Sequence, residues 1–355
     1  MFVKCLYEGN VEEMNGNSEM DHEMRNASSS RLLIVTTNDF EADAAGISSL
    51  KHAIDMAIFI MTVPTPPVLC IVGLLGNFLS FILMRQQKYE KSTACFYMRC
   101  LAVFDCFYIY GRMVLRYLLS MAPHLFVSMH VKQPFCLYYF VSFRMGVFLS
   151  PWMLVAMALD RFLAVNWPLK AVRFLTMGRA KITVVIVSGC GAGFGLAQLT
   201  RTWQEKYSHW LCPYEYDPPM DLIYSYIGGV VETFLPIFFI SFFNIGILLA
   251  LHRSSQNKML QKPERSSRES SINLATFLVT SSFIVFRIPA KVNDFFWEYW
   301  QGEVTPDIVQ WKRFSLNVGV LSENMIYCLN TYLYVLACKR LRQEMFEIIR
   351  FWRIK

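Results

Sequence analysis

The sequence predicts an all-α membrane protein, a bundle of seven transmembrane helices with an amphipathic surface helix after the last one. Of the 355 residues, 54% are hydrophobic and only 17% are charged, whereas soluble proteins average about 25% charged residues. The apolar residues also form stretches of the roughly 20 residues that a helix needs to cross a bilayer. The predicted spans are 54–84, 96–121, 137–159, 182–200, 222–251, 272–297 and 314–338.

The basic residues predict the orientation of these spans, because Lys and Arg resist translocation and stay in the cytoplasm. They are concentrated in the first, third and fifth connections and in the tail after the seventh span. We therefore expect a multi-pass protein of the cell membrane with an extracellular N-terminus. The net charge of +7 belongs to the cytoplasmic face and does not indicate nucleic-acid binding.

Three regions follow from this topology. Residues 1–53 are polar and acidic, and we expect them to form a disordered extracellular segment. Residues 54–338 form the membrane domain. Residues 339–355 carry apolar side chains at 341, 345, 348, 349 and 352, the spacing of an amphipathic helix lying on the inner leaflet.

Asn26 begins an Asn-Ala-Ser sequon and is a candidate glycosylation site, although so short a pattern also arises by chance.

Two of the ten cysteines lie on the oxidising outer side, next to the bundle. Cys136 begins the third span and Cys212 lies in the connection between the fourth and fifth spans. A disulfide between them would tie this connection across the mouth of the bundle. Cys5 is also outside and has no obvious partner. Cys338, at the inner end of the seventh span, is either a palmitoylation site or an ordinary packed cysteine.

The third span ends in Asp160-Arg161-Phe162. Adjacent opposite charges are costly at a membrane boundary unless each finds a partner, so their position indicates a functional role. The alternative is an ordinary charged cap where a helix meets water.

The other spans help to distinguish a functional role from an ordinary helix cap, because every span except the fourth carries a short motif. The motifs are Gly76-Asn77, Leu101-Ala102-Val103-Phe104-Asp105, Asp160-Arg161-Phe162, Pro236, Phe283 with Pro289, and Asn330-Thr331-Tyr332-Leu333-Tyr334. Each alone is weak. In this order and with this spacing, they resemble the motifs of rhodopsin-like G-protein-coupled receptors, from the first span to the surface helix.

The resemblance implies a G-protein-side switch that includes Asp160, Arg161 and Phe162, with Asn330 and Tyr334 along the core. It also implies that Glu269, twenty residues before Pro289, pairs with Arg161 in the resting state and releases it on activation.

The resemblance further implies a sodium-binding cluster around Asp105, with Ser150 and Asn330. Oxygen ligands of this kind suit a hard cation. A purely structural polar network is the alternative, and no other cofactor is expected.

Two departures from the family pattern affect the activation relay. Arg287 stands where the family usually has a tryptophan, and Thr331 replaces the proline of the seventh-span motif. The usual toggle mechanism therefore does not transfer to Arg287.

The outer half of the bundle is unusually rich in charge and predicts a ligand pocket. Its candidate residues are Arg112, Arg116, Phe143, Arg144, Glu232, Arg287, Lys291 and Glu323. Spacing from the family motifs places Arg287 near Glu323 at the pocket floor, where the two form an internal salt bridge or bind a ligand. Phe143 stands where amine receptors carry an aspartate, which argues against an amine ligand. Asn324, at the visual-pigment lysine position, cannot form a Schiff base.

Aromatic residues in the outer connections favour a peptide ligand, because Tyr and Trp anchor binding. The chain resembles invertebrate neuropeptide receptors of the FMRFamide-receptor-like kind. We expect an extracellular peptide and a heterotrimeric G protein as partners, and no enzymatic activity. An acidic lipid or a carboxylate metabolite is the alternative ligand. A seven-span transporter is a remote alternative, since the six histidines show no metal-ligand spacing.

Overall fold

The computed structural model describes residues 33–86, 89, 92–114, 117–118, 121, 133–199, 226–256 and 263–354. The chain divides into two compact units, Met1–Lys51 and His52–Lys355. The described part of the first unit is the beginning of a helix, and the second unit contains the bundle. The helices are α1 (Leu33–Thr62), α2 (Thr65–Met84), α3 (Thr93–Tyr108), α4 (Gln133–Asn166), α5 (Pro168–Phe174), α6 (Met177–Leu199), α7 (Leu235–Gln256), α8 (Pro263–Glu298), α9 (Pro306–Ala337) and α10 (Lys339–Ile354).

The first predicted span, 54–84, is interrupted: α1 ends at Thr62 and α2 begins at Thr65. Pro64 occupies the N-cap of α2, and further prolines follow in its first turn, where a missing backbone N–H costs nothing. The Thr65 hydroxyl donates to the Ile60 carbonyl at 2.7 Å, which satisfies a backbone group at the break. The apolar composition continues across the break, and the prolines at 64, 66 and 67 are the sequence signal that marks it.

Six helical segments in the described ranges are long and apolar enough to cross a membrane. They are Ser48–Met84, Thr93–Val114, Met145–Asn166, Met177–Leu196, Tyr226–Arg253 and Ser271–Glu298. The seventh predicted span lies in α9, whose Glu323, Asn324 and Asn330 make it more polar than the other six. Because α9 packs against both α2 and α8, it completes an all-α seven-helix bundle.

Helix α4 lies at the centre of this bundle and packs against α3, α6, α7 and α8. Its inner face buries Leu149, Met153 and Met157 completely. Pro151 lies inside the helix and is also buried. Residues 153–158 are therefore held in a close-packed core, which fixes the position of the charged triplet that follows.

Within the described ranges, two π-helical turns interrupt the regular helices. One, Ile109–Val114, continues directly from α3, and the other, Val230–Phe234, precedes α7. The wider turn frees backbone carbonyls from the regular ladder, and Trp152 Nε1 donates to the Val231 carbonyl at 3.2 Å. This hydrogen bond joins α4 to the second π turn at mid-bundle.

The predicted C-terminal amphipathic helix is present as α10, directly after Cys338. It buries Leu341 and Glu344 and exposes Phe346. The Tyr89 hydroxyl donates to Glu344 Oε2 at 2.9 Å, which holds the helix against the connection between α2 and α3. Cys338 belongs to the hydrophobic core and is 7% exposed, which favours a packed cysteine over a lipidated one.

Candidate functional site

A buried polar cluster joins α3, α4 and α9. Asp105 is fully buried, and each of its carboxylate oxygens accepts one short hydrogen bond. Ser150 Oγ donates to Oδ1 at 2.6 Å, and Asn330 Nδ2 donates to Oδ2 at 2.6 Å. Within the described ranges, the buried Asn330 Oδ1 has no hydrogen-bond partner. Asp105 and the two residues expected around it, Ser150 and Asn330, therefore lie together, and the Asn330 Oδ1 acceptor is not used within the described ranges.

The charged triplet forms its own ion pair at the end of α4, which we call the inner end of the bundle. Arg161 Nε and Nη2 donate to Asp160 Oδ2 at 3.1 and 2.5 Å. Asp160 is 3% exposed and Arg161 is 9% exposed. The side chain of Glu269 lies outside the described residues, so the predicted pair with Arg161 stays a prediction.

Phe162 anchors this end of α4 against α7. Its ring packs against those of Phe242 and Phe243, with centroids 5.9 and 5.3 Å away, and lies edge-on to Trp167. Gly246 supplies the space, because a Cβ at that position would overlap the Phe162 ring. The third residue of the triplet therefore fixes the separation of α4 and α7.

A second buried ion pair lies nearer the opposite, outer end. Arg287 Nη1 pairs with Glu323 Oε1, as the motif spacing predicts. Arg287 Nε also donates to Thr233 Oγ1 at 3.2 Å. Arg287 is 1% exposed and its partner's side chain is 13% exposed. One guanidinium thus connects α8, α9 and the second π turn.

Four participants in this region were missed by sequence reasoning: Thr233, Tyr108, Asn324 and Tyr327. The rings of Tyr108 and Tyr327 are stacked, with centroids 3.4 Å apart, and the Tyr108 hydroxyl donates to Asn324 Oδ1 at 3.1 Å. Tyr327 lies one turn after Glu323 on α9, so helical spacing could have found it. Thr233 carried no such signal, because a π turn shifts the register of the residues around it.

Two further predicted pocket residues lie close enough to interact electrostatically with this group, Glu232 with Arg287 and Arg112 with Tyr108. Lys291 pairs instead with Asp294 on its own helix, at 2.9 Å. Glu232 is 6% exposed, and Arg112 is half-buried in the first π turn. Several predictions fall outside the described residues or on side chains outside them: Asn26, Arg116, Cys136, Phe143, Arg144 and Cys212.

Thr331, which departs from the family pattern, has a clear local role. Its hydroxyl donates to the Gly76 carbonyl at 2.7 Å and is 2.9 Å from Ser80 Oγ. Both partners lie on α2. Asn77 Nδ2 on the same helix donates to the Tyr327 carbonyl at 3.0 Å, so α2 and α9 are joined by hydrogen bonds where a proline would offer none from its side chain.

Comparison with known proteins decides the family. Residues 76–338 match the profile described as "7 transmembrane receptor (rhodopsin family)". The chain belongs to this family. The receptor is also similar to "G-protein coupled receptor 183-A" of Danio rerio, with 25% identity over 297 residues that cover 79% of this chain and 77% of the relative. Since the rhodopsin family is a family of receptors, the expectation that this multi-pass membrane protein is not an enzyme is confirmed.

Proposed function

We propose that this receptor lies in the cell membrane with its N-terminus outside, binds an extracellular neuropeptide and activates a heterotrimeric G protein. The observation that carries the proposal is the Asp160–Arg161 ion pair, nearly buried at the inner end of α4. A charged pair held there by internal packing can exchange partners when the helices move, which is how a two-state switch works.

The surface beside this pair supports a protein partner. Helix α5 begins at Pro168, shortly after the end of α4, and its Leu169 and Val172 are 92% and 82% exposed. Lys170 and Arg173 lie on the same short helix and are also exposed. Exposed apolar side chains among basic ones suit an interface with an acidic partner surface.

The polar cluster fits the sodium ion that the family resemblance implies. The Asp105 carboxylate supplies a negative charge, and the Ser150 hydroxyl and the unpartnered Asn330 Oδ1 supply further oxygens. Oxygen donors without sulfur or imidazole suit a hard monovalent or divalent cation. We propose that these three residues would hold sodium, whose charge would stabilise the ionised form of Asp105 in the core.

The outer end favours a peptide ligand. Trp297 and Trp300 pack against each other with ring centroids 5.8 Å apart, and Trp300 is 42% exposed. Tyr299 and Trp311 are similarly exposed, at 43% and 46%. Large, partly exposed rings bind peptide side chains at low entropic cost. An aromatic belt at the membrane surface would show similar exposure, so ligand binding has to be measured.

Nucleotide exchange in cell membranes tests the receptor function directly. Membranes that contain the expressed receptor should accelerate GTPγS binding to added G proteins when an amidated neuropeptide from a screening panel is present. Calcium and cyclic-nucleotide readouts of the same panel would identify the G-protein class. A transporter would show no agonist-dependent exchange, and this result would contradict the proposal.

An acidic lipid or carboxylate ligand is favoured by one observation, the basic residue Arg112 in the first π turn. Alanine at Arg112 and Arg116 separates the two ligand classes. A small carboxylate ligand should lose nearly all potency, because its binding depends on a few contacts with basic side chains. A peptide should lose only part, since its binding energy is spread over several anchors.

A further inference from the structure

A cavity of about 210 Å³ lies at the inner end of the bundle, between the ends of α3, α4 and α6. Its polar lining residues are Thr93, Tyr97, Asp160, Thr176, Arg179 and Thr183. The rest of its wall is apolar. Pockets for drug-sized ligands measure about 300–1,000 Å³, so this cavity fits a small head group better than a whole ligand.

Two opposite charges line this cavity without pairing with each other. Asp160 accepts both Arg161 hydrogen bonds on Oδ2, and a carboxylate has further acceptor capacity on its other oxygen. The Arg179 guanidinium lies over the Phe174 ring, 5.1 Å from its centroid. In the part of the chain that the structure describes, Arg179 forms no salt bridge. A ligand that satisfies both charges would carry an ammonium and an anion.

The surface next to the cavity favours a lipid as the source of that ligand. Ile182 and Ile186 follow Arg179 by three and seven residues, which places them on the same side of α6. They are 60% and 59% exposed and lie in the membrane-crossing part of the helix. An apolar chain can therefore pass from the cavity along these side chains into the bilayer, whereas a free zwitterion would leave them uncovered.

We propose that this cavity binds the head group of a phospholipid with a primary ammonium next to its phosphate, the chemistry of phosphatidylethanolamine. The ammonium donates to Asp160 Oδ1, the phosphate pairs with Arg179, and an acyl chain lies along Ile182 and Ile186. A primary ammonium has three N–H donors, and the quaternary ammonium of a choline lipid has none. The site depends on the membrane orientation proposed above, but not on the receptor's ligand or on G-protein coupling.

Native mass spectrometry of the purified full-length receptor tests the proposal. The receptor is equilibrated with phosphatidylethanolamine or phosphatidylcholine of identical acyl chains. The ethanolamine lipid should bind about tenfold more tightly, the effect of one charge-assisted hydrogen bond. Arg179→Gln should weaken binding of both lipids about tenfold, because it removes the phosphate contact. Lys181→Gln is the matched control: it makes the same charge change on the same helix, on an exposed residue outside the cavity, and should bind as the wild type does.

Three results would overturn the proposal. Equal binding of the two lipids by the wild-type receptor would exclude the ammonium contact with Asp160, and this comparison requires no variant. Equal weakening by Arg179→Gln and Lys181→Gln would assign the binding to general surface charge. Displacement of the lipid by soluble phosphoethanolamine at the same concentration would exclude the membrane as the source of the ligand.

Discussion

Arg287 and Glu323 form an ion pair in the core of the bundle, where the family usually has a tryptophan on the sixth span. Arg287 is almost completely buried, so its charge is stable there only because it has partners. Thr233 Oγ1 accepts a second hydrogen bond from this guanidinium, donated by Nε at 3.2 Å. A side chain that would break the packing of most cores thus holds three segments of this receptor together.

Glu323→Gln should strongly destabilise the receptor. It removes the carboxylate that pairs with the buried Arg287 and leaves Glu232 as an acidic neighbour; breaking a buried ion pair costs about 3–5 kcal/mol in soluble proteins. The apparent melting temperature of the purified receptor, followed by tryptophan fluorescence, measures the loss. Lys291→Gln is the matched control, because Lys291 pairs with Asp294 on the same helix and the two side chains are 32% and 40% exposed. Loss of this exposed ion pair should lower the free energy of unfolding by less than about 1 kcal/mol.

A double variant shows whether the buried charge of Arg287 causes the loss of stability in Glu323→Gln. Replacing both Arg287 and Glu323 with methionine removes the two desolvation costs together and should recover part of the melting temperature. Recovery should be incomplete because the buried Glu232 loses its positive neighbour Arg287. If Glu323→Gln melts at the wild-type temperature, the ion pair does not stabilise the core.

Gly246→Ala should destabilise the contact between α4 and α7. The added methyl group would overlap the Phe162 ring, and overpacking of this kind costs about 1–3 kcal/mol. Gly189→Ala is the matched control, because a Cβ there would meet no atom within 4 Å, and alanine should stabilise the helix by up to about 1 kcal/mol. Thermal unfolding of both variants gives the comparison.

Phe162→Leu should rescue Gly246→Ala, because the smaller side chain makes room for the methyl group. A double-mutant cycle would then give a coupling energy of about 1 kcal/mol or more. Additive effects of the two substitutions would mean that Gly246 and Phe162 do not share this contact.

The seven spans could be predicted from the length of the apolar stretches. The Asp105 cluster was implied by the resemblance to the rhodopsin-like family, and the position of Arg287 near Glu323 followed from the spacing of the family motifs. Thr233 could not be predicted, since the π turn at 230–234 shifts the side chains around it from the directions that a 3.6-residue period predicts. The break at Pro64 was also missed, because the prediction followed the apolar composition, which is the same on both sides, and not the prolines at 64, 66 and 67. Irregular backbone is therefore what limited the sequence-based prediction of this site.

Sodium should lower the basal activity of the receptor through Asp105. GTPγS exchange by receptor membranes should be about fivefold lower in NaCl than in KCl of equal ionic strength, the lower end of typical coupling between two sites. Asp105→Asn should remove this difference, because a neutral amide cannot compensate the cation's charge. Asp294→Asn, at a residue whose side chain is 40% exposed, should retain it. A sodium effect that persists in Asp105→Asn would place the ion elsewhere.

Asp160→Asn should raise basal nucleotide exchange, because Arg161 loses the charge of the carboxylate that accepts its two hydrogen bonds. Hydrogen bonds to charged groups contribute about 1.5–3 kcal/mol each, so the resting arrangement should lose a large part of its advantage. If Glu269 also holds Arg161 at rest, Glu269→Gln should raise exchange in the same direction. Lys170→Gln, at an exposed residue of α5, serves as the surface-charge control. Unchanged basal exchange in both acidic variants, at equal surface expression, would mean that Arg161 is a structural cap and that the switch lies elsewhere.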